Sequence, residues 1–309
     1  MRKSLVGLLM TGVLAAGAAT VATAAPNPVD ALDTPIGFGA DTTGGVGGGT
    51  VTVSSTGEFV DAVAAEGPLT VQVEGTIGLS GMVPVGSDKT IVGVGTTGGL
   101  AGGGLNIRQA NNVIVQRLTI SGSGDDNINV EESTNIWIDH TDLSNAADGA
   151  LDIKAASDAV TVSWNHFHDQ DKNTLLGHSD DNEDQDKGKL RVTYHHNWFD
   201  GTSQRNPRVR FGNPVHVFNN YYNDINSYGV ASTMNAGVLV ERNHFENVED
   251  PFHLGEGDSG PGSLVASNNQ LVNSGNGETG GSVAEIPYAY APDNAANVKS
   301  IVTGGAGVQ

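Results

Sequence analysis

The stretches VTYHHNWF (192–199) and VHVFNNYY (215–222) repeat one pattern at an interval of 23 residues. Each begins with a short alternating apolar run, which is typical of a β-strand. Each then carries asparagine at its sixth position and an aromatic residue at its eighth. The pattern recurs in both directions at intervals of 23, 24, 32, 23, 23 and 26 residues, in segments that begin at Val113, Ile136, Val160, Val192, Val215, Val238 and Leu264. Such self-similarity predicts a repeat architecture.

The strand pattern and the fixed asparagine select one kind of repeat. Helical patterns of 10–15 residues do not separate the strands, so βαβ units are not expected. The leucine pattern of leucine-rich repeats is missing, although the interval falls in their range. We therefore predict an all-β fold, a right-handed single-stranded parallel β-helix with three strands per coil and equivalent positions stacked about 4.8 Å apart. The stacked asparagines would form a ladder: Asn165, Asn197, Asn220, Asn243 and Asn269.

The ends of the chain predict processing and capping. Residues 1–24 read as a secretory signal peptide, with Arg2 and Lys3 before an apolar run and an Ala-Thr-Ala cleavage site at 22–24. An uncleaved membrane anchor is the alternative for this segment. Residues 25–309 are then a single β-helix domain, exported and extracellular. The amphipathic stretch at 56–67 predicts a short helix that caps the N-terminal end of the solenoid.

Composition restricts the partners. The chain has 15 Lys+Arg against 35 Asp+Glu, a formal charge of −20, and no cysteine. This acidity disfavours nucleic acid and anionic membranes as partners. It would also repel an acidic polymer unless a cation intervened. Without disulfides, the core must hold an exported chain together, and we expect a monomer.

Charged residues recur at one position of the repeat. Four consecutive repeats carry a charged residue 12 or 13 positions after their first residue: Asp126, Asp148, Lys172 and Arg205. Equal phase predicts that these side chains form a column on one outer face, acidic at one end and basic at the other. Asp152 lies four residues after Asp148 on the same side of a strand, and Gly149 between them would allow a local bend.

The three carboxylates admit several interpretations. Oxygen ligands of this type suit Ca²⁺. Acidic residues are also common in exposed turns without any further role. A third interpretation is a glycoside hydrolase, which needs a pair of carboxylates. Hydrolysis does not require Lys172 and Arg205 beside the acids. Cations in that place favour β-elimination on an acidic sugar polymer, where they would stabilise charge developing on a carboxylate.

The chain resembles the pectate lyases of polysaccharide lyase family 1 over nearly the whole predicted mature sequence. The resemblance rests on the motifs TIVGVG (90–95), NIWIDH (135–140), DGALDI (148–153), VTVSWNHFHDQDK (160–172), VTYHHNWF (192–199) and QRNPRVRFGNPVHVFNNYY (204–222). It implies calcium as the cofactor, de-esterified homogalacturonan as the substrate and 4,5-unsaturated oligogalacturonides as the products.

The resemblance also implies individual roles. Asp126, Asp148 and Asp152 correspond to calcium ligands in the family. Lys172 and Arg210 correspond to residues that contact substrate carboxylates, and Arg205 to the proposed general base. Gln170 departs from the histidine of many members. Whether Asp125 or the acidic stretch 178–189 adds a calcium ligand stays open, as does whether Arg205 is itself the base.

Four polar residues outside the charged column are expected to be structural. Asp139 and His140 lie at strand phases away from the charged column, and His195 and His196 precede a ladder asparagine.

Other activities would require different residues. A pectin lyase would lack the acidic triplet, and a polygalacturonase would lack the column of Lys and Arg. A non-catalytic β-helix adhesin would need no converging charges.

Overall fold

A computed structural model describes Met1 and residues 34–309 of the chain. The predicted signal peptide, residues 1–24, lies outside the described residues except for Met1. Within the described part, none of the helices combines the length and the apolar character needed to cross a lipid bilayer.

Short parallel strands are the main secondary structure of residues 34–309. In chain order with the three helices they are β1 (Gly49–Val53), α1 (Thr56–Ala64), β2 (Leu69–Val73), β3 (Thr76–Pro84), β4 (Lys89–Gly93), β5 (Gly99–Arg108), β6 (Asn111–Gln116), β7 (Thr119–Ser121), β8 (Ile128–Glu131), β9 (Thr134–Asp139), β10 (Asp142–Ser144), β11 (Gly149–Lys154), β12 (Asp158–Ser163), β13 (His166–His168), β14 (Lys172–Leu176), α2 (Glu183–Asp186), β15 (Val192–His195), β16 (Trp198–Asp200), β17 (Arg208–Arg210), β18 (Val215–Phe218), β19 (Tyr221–Asn223), β20 (Val230–Thr233), β21 (Gly237–Glu241), β22 (His244–Glu246), β23 (Phe252–Leu254), β24 (Ser263–Ser267), β25 (Gln270–Val272) and α3 (Ala295–Gly305).

The strands form a solenoid with three faces. The first face is a ten-stranded parallel sheet in the order β1-β2-β4-β6-β9-β12-β15-β18-β21-β24. A second sheet bends at β5, whose first half pairs with β7 and whose second half pairs with β8. Its two arms are the second face (β7-β10-β13-β16-β19-β22-β25) and the third face (β8-β11-β14-β17-β20-β23). The predicted parallel β-helix with three strands per coil is confirmed.

The repeat period explains the core. Each coil directs alternate apolar side chains inward, and the aromatic eighth position of successive repeats stacks in the interior. Phe167, Phe199, Tyr222 and Phe245 lie ring upon ring, with centroids 4.9, 4.8 and 4.3 Å apart. All four are fully buried. Offset stacking of this kind adds to the free energy gained by removing the rings from water.

The asparagine ladder lies at the corner between the first and second faces. The residue before each ladder asparagine has a positive φ, such as 54° at Trp164 and 52° at Asn219, so the chain turns sharply there. The side chain of Asn197 donates 2.9 Å bonds to Asn220 Oδ1 and to Val162 O. Asn220 repeats this arrangement towards Asn243. The predicted ladder is confirmed.

The chain ends are arranged differently from each other. Helix α1 has a capping box between Ser55 and Glu58 and buries Phe59 and Val63 against the first coils, as the amphipathic pattern predicts. Helix α3 packs along the second face against β19 and β22, where Val298 and Val302 find apolar partners.

Candidate active site

The predicted charged residues meet at the corner between the second and third faces. Asp126 lies two residues before β8, Asp148 directly precedes β11, Lys172 begins β14, and Arg205 lies three residues before β17. The register pairs Gly149 with Lys172 and, in the next coil, Lys172 with Gln204. Equal phase in the repeat therefore becomes one column of neighbouring side chains.

Two of the carboxylates face each other across Gly149. The Gly149 N–H donates a 2.8 Å hydrogen bond to Asp126 Oδ1. A Cβ atom placed on Gly149 would lie 2.4 Å from Asp152 Oδ1 and 2.9 Å from Asp126 Oδ1. The glycine thus leaves the space that the two carboxylates occupy, and its φ is not in the left-handed region.

These carboxylates are more buried than an outer-face column predicts. Asp126 is 3% exposed and Asp152 4% exposed. Burial raises the pKa of Asp126 to about 6, against the opposing effects of the Gly149 N–H and of Lys154. Burial and the neighbouring Asp126 raise the pKa of Asp152 to about 7. Buried like charges at this separation favour either a proton or a bound cation.

Lys154, which sequence reasoning missed, and Asp125, which it left open, also belong to the acidic end. Lys154 places Nζ 3.8 Å from Asp126 Oδ2 and 4.0 Å from Asp152 Oδ2, so it offsets part of their charge. It could have been found from strand parity, since residues two apart point to the same side. Asp125, Asp126 and Asp148 can each bring an oxygen within 4.8 Å of the other two.

The basic end continues directly from the acids. Lys172 Nζ donates a 2.8 Å bond to Asp148 Oδ1, and both side chains are well exposed. This bond lowers the pKa of Asp148. The side-chain amide of Gln170 spans the same turn, donating to Asp148 O at 2.7 Å and to Lys172 O at 3.0 Å. Gln170 therefore fixes the backbone on which the two charged residues stand.

Arg205 is held by its backbone and leaves its side chain available. Its carbonyl accepts a 2.7 Å bond from the Thr174 N–H, and the next residue, Asn206, is fully buried and bonded to Asn173. The φ of Arg205 is 61°, a left-handed conformation that a non-glycine residue adopts only where its surroundings fix it. Arg205 Nε is buried without a hydrogen-bond partner.

Arg210 and Arg208 lie beyond the column and are bonded to other parts of the protein. Arg210 Nε donates a 2.6 Å bond to Asp180 Oδ1, and its Nη1 donates to Gly177 O at 3.0 Å. Arg208 donates to Ser259 Oγ at 2.7 Å. Ser259 in turn donates to Asp180. Both guanidinium groups thus tie the segment 178–189 and the 256–259 turn to the third face.

The remaining polar residues of interest are occupied inside the fold. Asp139 is fully buried and accepts bonds from Gln116 and Ser163, beside His140. His195 and His196 contact each other through their Nδ1 atoms at 2.9 Å. A cleft of about 420 Å³ on the first face, lined by Leu239, Val265, Val283, Ala284, Glu285, Ile286 and Tyr290, contains none of the charged column. A polymer substrate suits the open corner better than this cleft.

The donor set at the acidic end fits a calcium ion. The candidate ligands are hard carboxylate oxygens, the type that Ca²⁺ prefers. The buried Asp152 Oδ1 has no hydrogen-bond partner. The space beside Gly149 would be filled by any larger side chain. A buried oxygen without a partner, beside a second carboxylate, is what a bound cation would satisfy.

Comparison with known proteins identifies the family. The family model described as pectate lyase matches residues 3–309. A pectate trisaccharide-lyase of Bacillus licheniformis is 39% identical over 328 residues, covering 98% of this chain and 94% of that protein. A pectate lyase of Emericella nidulans is 37% identical over 289 residues, covering 88% of each chain.

A solved structure agrees in fold as well as in sequence. The crystal structure of a pectate lyase from Bacillus sp. N165 in complex with trigalacturonate superposes with a TM-score of 0.80 at 30% identity. The match covers 89% of this chain and 98% of that chain. With a parallel β-helix whose corner gathers carboxylates, lysine and arginine, this chain belongs to the pectate lyase family and is a polysaccharide lyase.

Proposed function

We propose that the protein is a secreted, calcium-dependent pectate lyase that cleaves de-esterified homogalacturonan by β-elimination and releases 4,5-unsaturated oligogalacturonides. The observation that carries this proposal is the corner where Asp126, Asp148 and Asp152 adjoin Lys172 and Arg205. Two buried carboxylates there adjoin the exposed side chains of Asp148 and Lys172. The relative solved with trigalacturonate supports an acidic sugar polymer as the substrate.

The acidic end would hold the calcium ion. Asp126, Asp148 and Asp152 supply the carboxylates, and Asp125 is close enough to Asp126 and Asp148 to add another. A bound calcium ion would neutralise a uronate carboxylate and make the proton on the adjacent carbon more acidic. It would also remove the repulsion between the polyanion and a chain of formal charge −20.

The basic end would do the proton transfer. Arg205 is the residue we assign to take the proton from the carbon next to the uronate carboxylate. The electron pair of that C–H bond forms the 4,5 double bond, the C4–O bond breaks, and the glycosidic oxygen leaves as the new chain end after gaining a proton from solvent. A guanidinium ordinarily keeps its proton, so the alternative is that Arg205 stabilises the developing charge while water or hydroxide accepts the proton.

Lys172 would bind and orient the uronate carboxylate. Its side chain is 37% exposed, and its present partner Asp148 is one of the proposed calcium ligands. Once calcium occupied Asp148, the ammonium group would be released for the substrate. A free carboxylate accepts a strong charge-assisted bond, whereas a methyl ester does not. The rate should therefore fall as methylation of the polymer rises.

We also propose where the protein acts and in which oligomeric state, from its predicted signal peptide and its composition. Residues 1–24 would direct export, and residues 25–309 would act as a single domain and a monomer outside the cell. N-terminal sequencing of the protein secreted by its host tests the cleavage site. Sedimentation of the mature chain tests the monomer.

The decisive experiment follows the ultraviolet absorbance of the unsaturated product on polygalacturonate. We expect absorbance to rise with calcium, to stop with excess chelator and to return when calcium is restored. Full activity in excess chelator would contradict the calcium assignment. Reducing ends without new absorbance would indicate a hydrolase, and faster cleavage of highly methylated pectin would indicate a pectin lyase.

A further inference from the structure

A second group of metal-ligating side chains lies on the second face, outside the charged corner. Asp142 of β10 pairs in register with His166 of β13, and His168 follows two residues later on the same side of the strand. Asp142 Oδ2 is 3.2 Å from His166 Nδ1, and Asp142 Oδ1 is 3.0 Å from His168 Nε2. One carboxylate therefore faces two imidazole nitrogens.

The outer nitrogen of each imidazole is also held by a carboxylate. His166 Nε2 lies 3.4 Å from Asp200 Oδ2, and His168 Nδ1 lies 2.8 Å from Asp169 Oδ2. A carboxylate that accepts the N–H of one nitrogen directs the lone pair of the other nitrogen towards a metal. Here the inner nitrogens both lie beside Asp142, one within 3.2 Å of Oδ2 and the other within 3.0 Å of Oδ1. The observation is independent of the three-residue cluster itself.

Packing fixes the two rings. They are stacked on each other with centroids 4.5 Å apart, and Trp198 of the next coil stacks on His166 at 4.4 Å. The three candidate side chains are 20 to 26% exposed, so ions can reach them from solvent. Rigid rings that remain accessible are the arrangement that a metal site requires.

The ligand atoms have the spacing and chemistry of a zinc-type site. Each residue can offer an atom within 4.8 Å of the other two, and the contacts to Asp142 are 3.0 and 3.2 Å. Tetrahedral zinc with bonds of about 2.1 Å separates its ligands by about 3.4 Å, within small side-chain rotations of these values. Two imidazoles select zinc and its neighbours in the first transition row over calcium, which prefers oxygen.

We propose that Asp142, His166 and His168 form a binding site for a divalent transition metal, with zinc as the representative ion and water in the fourth position. The site joins adjacent coils through β10 and β13, and Asp200 of β16 extends the connection to a third. In a chain without cysteine, a metal bound across coils would serve as a cross-link that stabilises the fold. The site is separate in the structure from the proposed calcium ligands, and it does not rest on the proposed function.

The test is calorimetric titration of the full-length mature protein with zinc, in excess calcium to saturate the acidic corner. The strong bond to Asp142 raises the pKa of His168 to about 9, so protons compete with the metal and the titration is done near pH 8.5. We expect one zinc ion per chain with a micromolar or lower Kd, and a higher Tm. Cobalt in place of zinc should give the intense visible absorption of a tetrahedral ion.

Substitutions separate this site from incidental binding. His168→Gln and the double change His166→Gln with His168→Gln should weaken zinc binding at least about 100-fold, because imidazole ligands are lost. Asp200→Asn, which alters only the outer partner of His166, should weaken it about 10- to 100-fold. His253→Gln is the matched control, since His253 also lies between two carboxylates, Asp250 and Glu256, but on the third face. It should leave the titration unchanged.

Three outcomes would overturn the proposal. They are no zinc binding by the wild-type protein at micromolar concentration, equal binding by the double variant and the wild type, and the absence of imidazole ligands in the X-ray absorption spectrum of the zinc-loaded wild type. The last measurement needs no variant, so it decides the matter even if the substitutions prevent folding. Calcium-dependent activity on polygalacturonate, measured in the same preparations, reports separately on the proposed function.

Discussion

Two columns of polar side chains run along this solenoid at two of its corners, and they differ in what they leave unsatisfied. In the asparagine ladder, Asn197 and Asn220 are completely buried, and each amide both donates and accepts within the protein. In the charged corner, Asp152 is nearly as buried, yet one of its oxygens has no partner.

The difference shows how one repeat can supply both structure and chemistry. A neutral amide carries donors and an acceptor, so identical residues stacked coil upon coil can satisfy one another. Ionised carboxylates only accept, so stacking them creates a demand for something positive. The first column is complete in the folded chain, and the second is completed by a cation and substrate. Substitutions in the ladder should therefore change stability, and substitutions in the corner should change activity.

The largest effect is expected at the basic end of the corner. Arg205→Lys should lower kcat at least about a thousandfold, equivalent to about 4 kcal/mol, because it removes a positioned proton acceptor and charge-stabilising group. Calcium affinity, measured by calorimetry, should change little. A near-normal kcat would mean that the proton goes elsewhere, with Lys172 the next residue to examine.

The ladder should respond in the opposite way. Asn220→Ala removes an amide that accepts from Asn197 and donates to Tyr194 O and to Asn243 Oδ1, and it leaves the backbone N–H of Asn197 buried without its partner. We expect a loss of about 3 kcal/mol in the free energy of unfolding, measured by denaturant titration. The kcat per folded molecule should stay within about twofold of the wild type, since general packing of the corner is retained.

An exposed asparagine provides the matched control for the ladder. Asn268, the residue before the last ladder position, has φ 54° but points its amide to Ser267 at the surface. Asn268→Gly keeps that turn accessible and should change stability by less than about 0.5 kcal/mol. If the Asn220 and Asn268 variants were equally stable, the ladder would not be a stabilising element.

The fold could be predicted because the repeat carries it redundantly. Seven segments share the strand pattern, and five of them share the asparagine, so an error in one would not change the result. For the site, the sequence could predict only that its residues share one position in the repeat. Spacing brought Asp126, Asp148, Lys172 and Arg205 to one corner, but it could not give burial, which depends on neighbouring coils.

The contacts that the sequence did not predict share one physical cause. Gly149 is needed because two carboxylates occupy the volume of its missing side chain, and this contact joins residues 23 positions apart. Arg210 is paired with Asp180, which belongs to the only long insertion between the seven segments. Insertions interrupt the period, so periodic reasoning cannot say where their side chains go.

The pH dependence of stability should also distinguish the two columns. The folded-state pKa values of Asp126 and Asp152, about 6 and about 7, lie above the ordinary aspartate value. Between about pH 4 and about pH 7, these two carboxyl groups bind more protons in the folded chain than in the unfolded chain. The free energy of unfolding therefore falls as pH rises through this window. In chelator, Tm should therefore decrease by several degrees, on the order of 5 °C, from about pH 4 to about pH 7.

The Asp152→Asn variant tests whether the buried carboxylates cause the dependence of Tm on pH. Asp152→Asn keeps the shape of the side chain but cannot ionise, so its Tm should depend less on pH over the same window. Saturating calcium should also flatten the wild-type curve, because the ion favours the charged carboxylates. Asn220→Ala should lower Tm without altering the slope. A wild-type slope retained in Asp152→Asn would place its cause outside the corner.

The smallest effect concerns Arg210, whose guanidinium is bonded to Asp180 while its proposed role is to bind a substrate carboxylate. Asp180 then competes with the substrate, so Asp180→Asn should free the guanidinium and lower KM on polygalacturonate about threefold, with kcat unchanged. Asp181→Asn removes the same charge from the next, exposed position and controls for the reduced repulsion of the polyanion. Arg210→Lys should raise KM, because a point charge replaces a bidentate fork. If Arg210→Lys lowered Tm and left KM unaltered, Arg210 would serve to hold the 178–189 segment, and binding of uronate carboxylates would rest with Lys172 and Arg205.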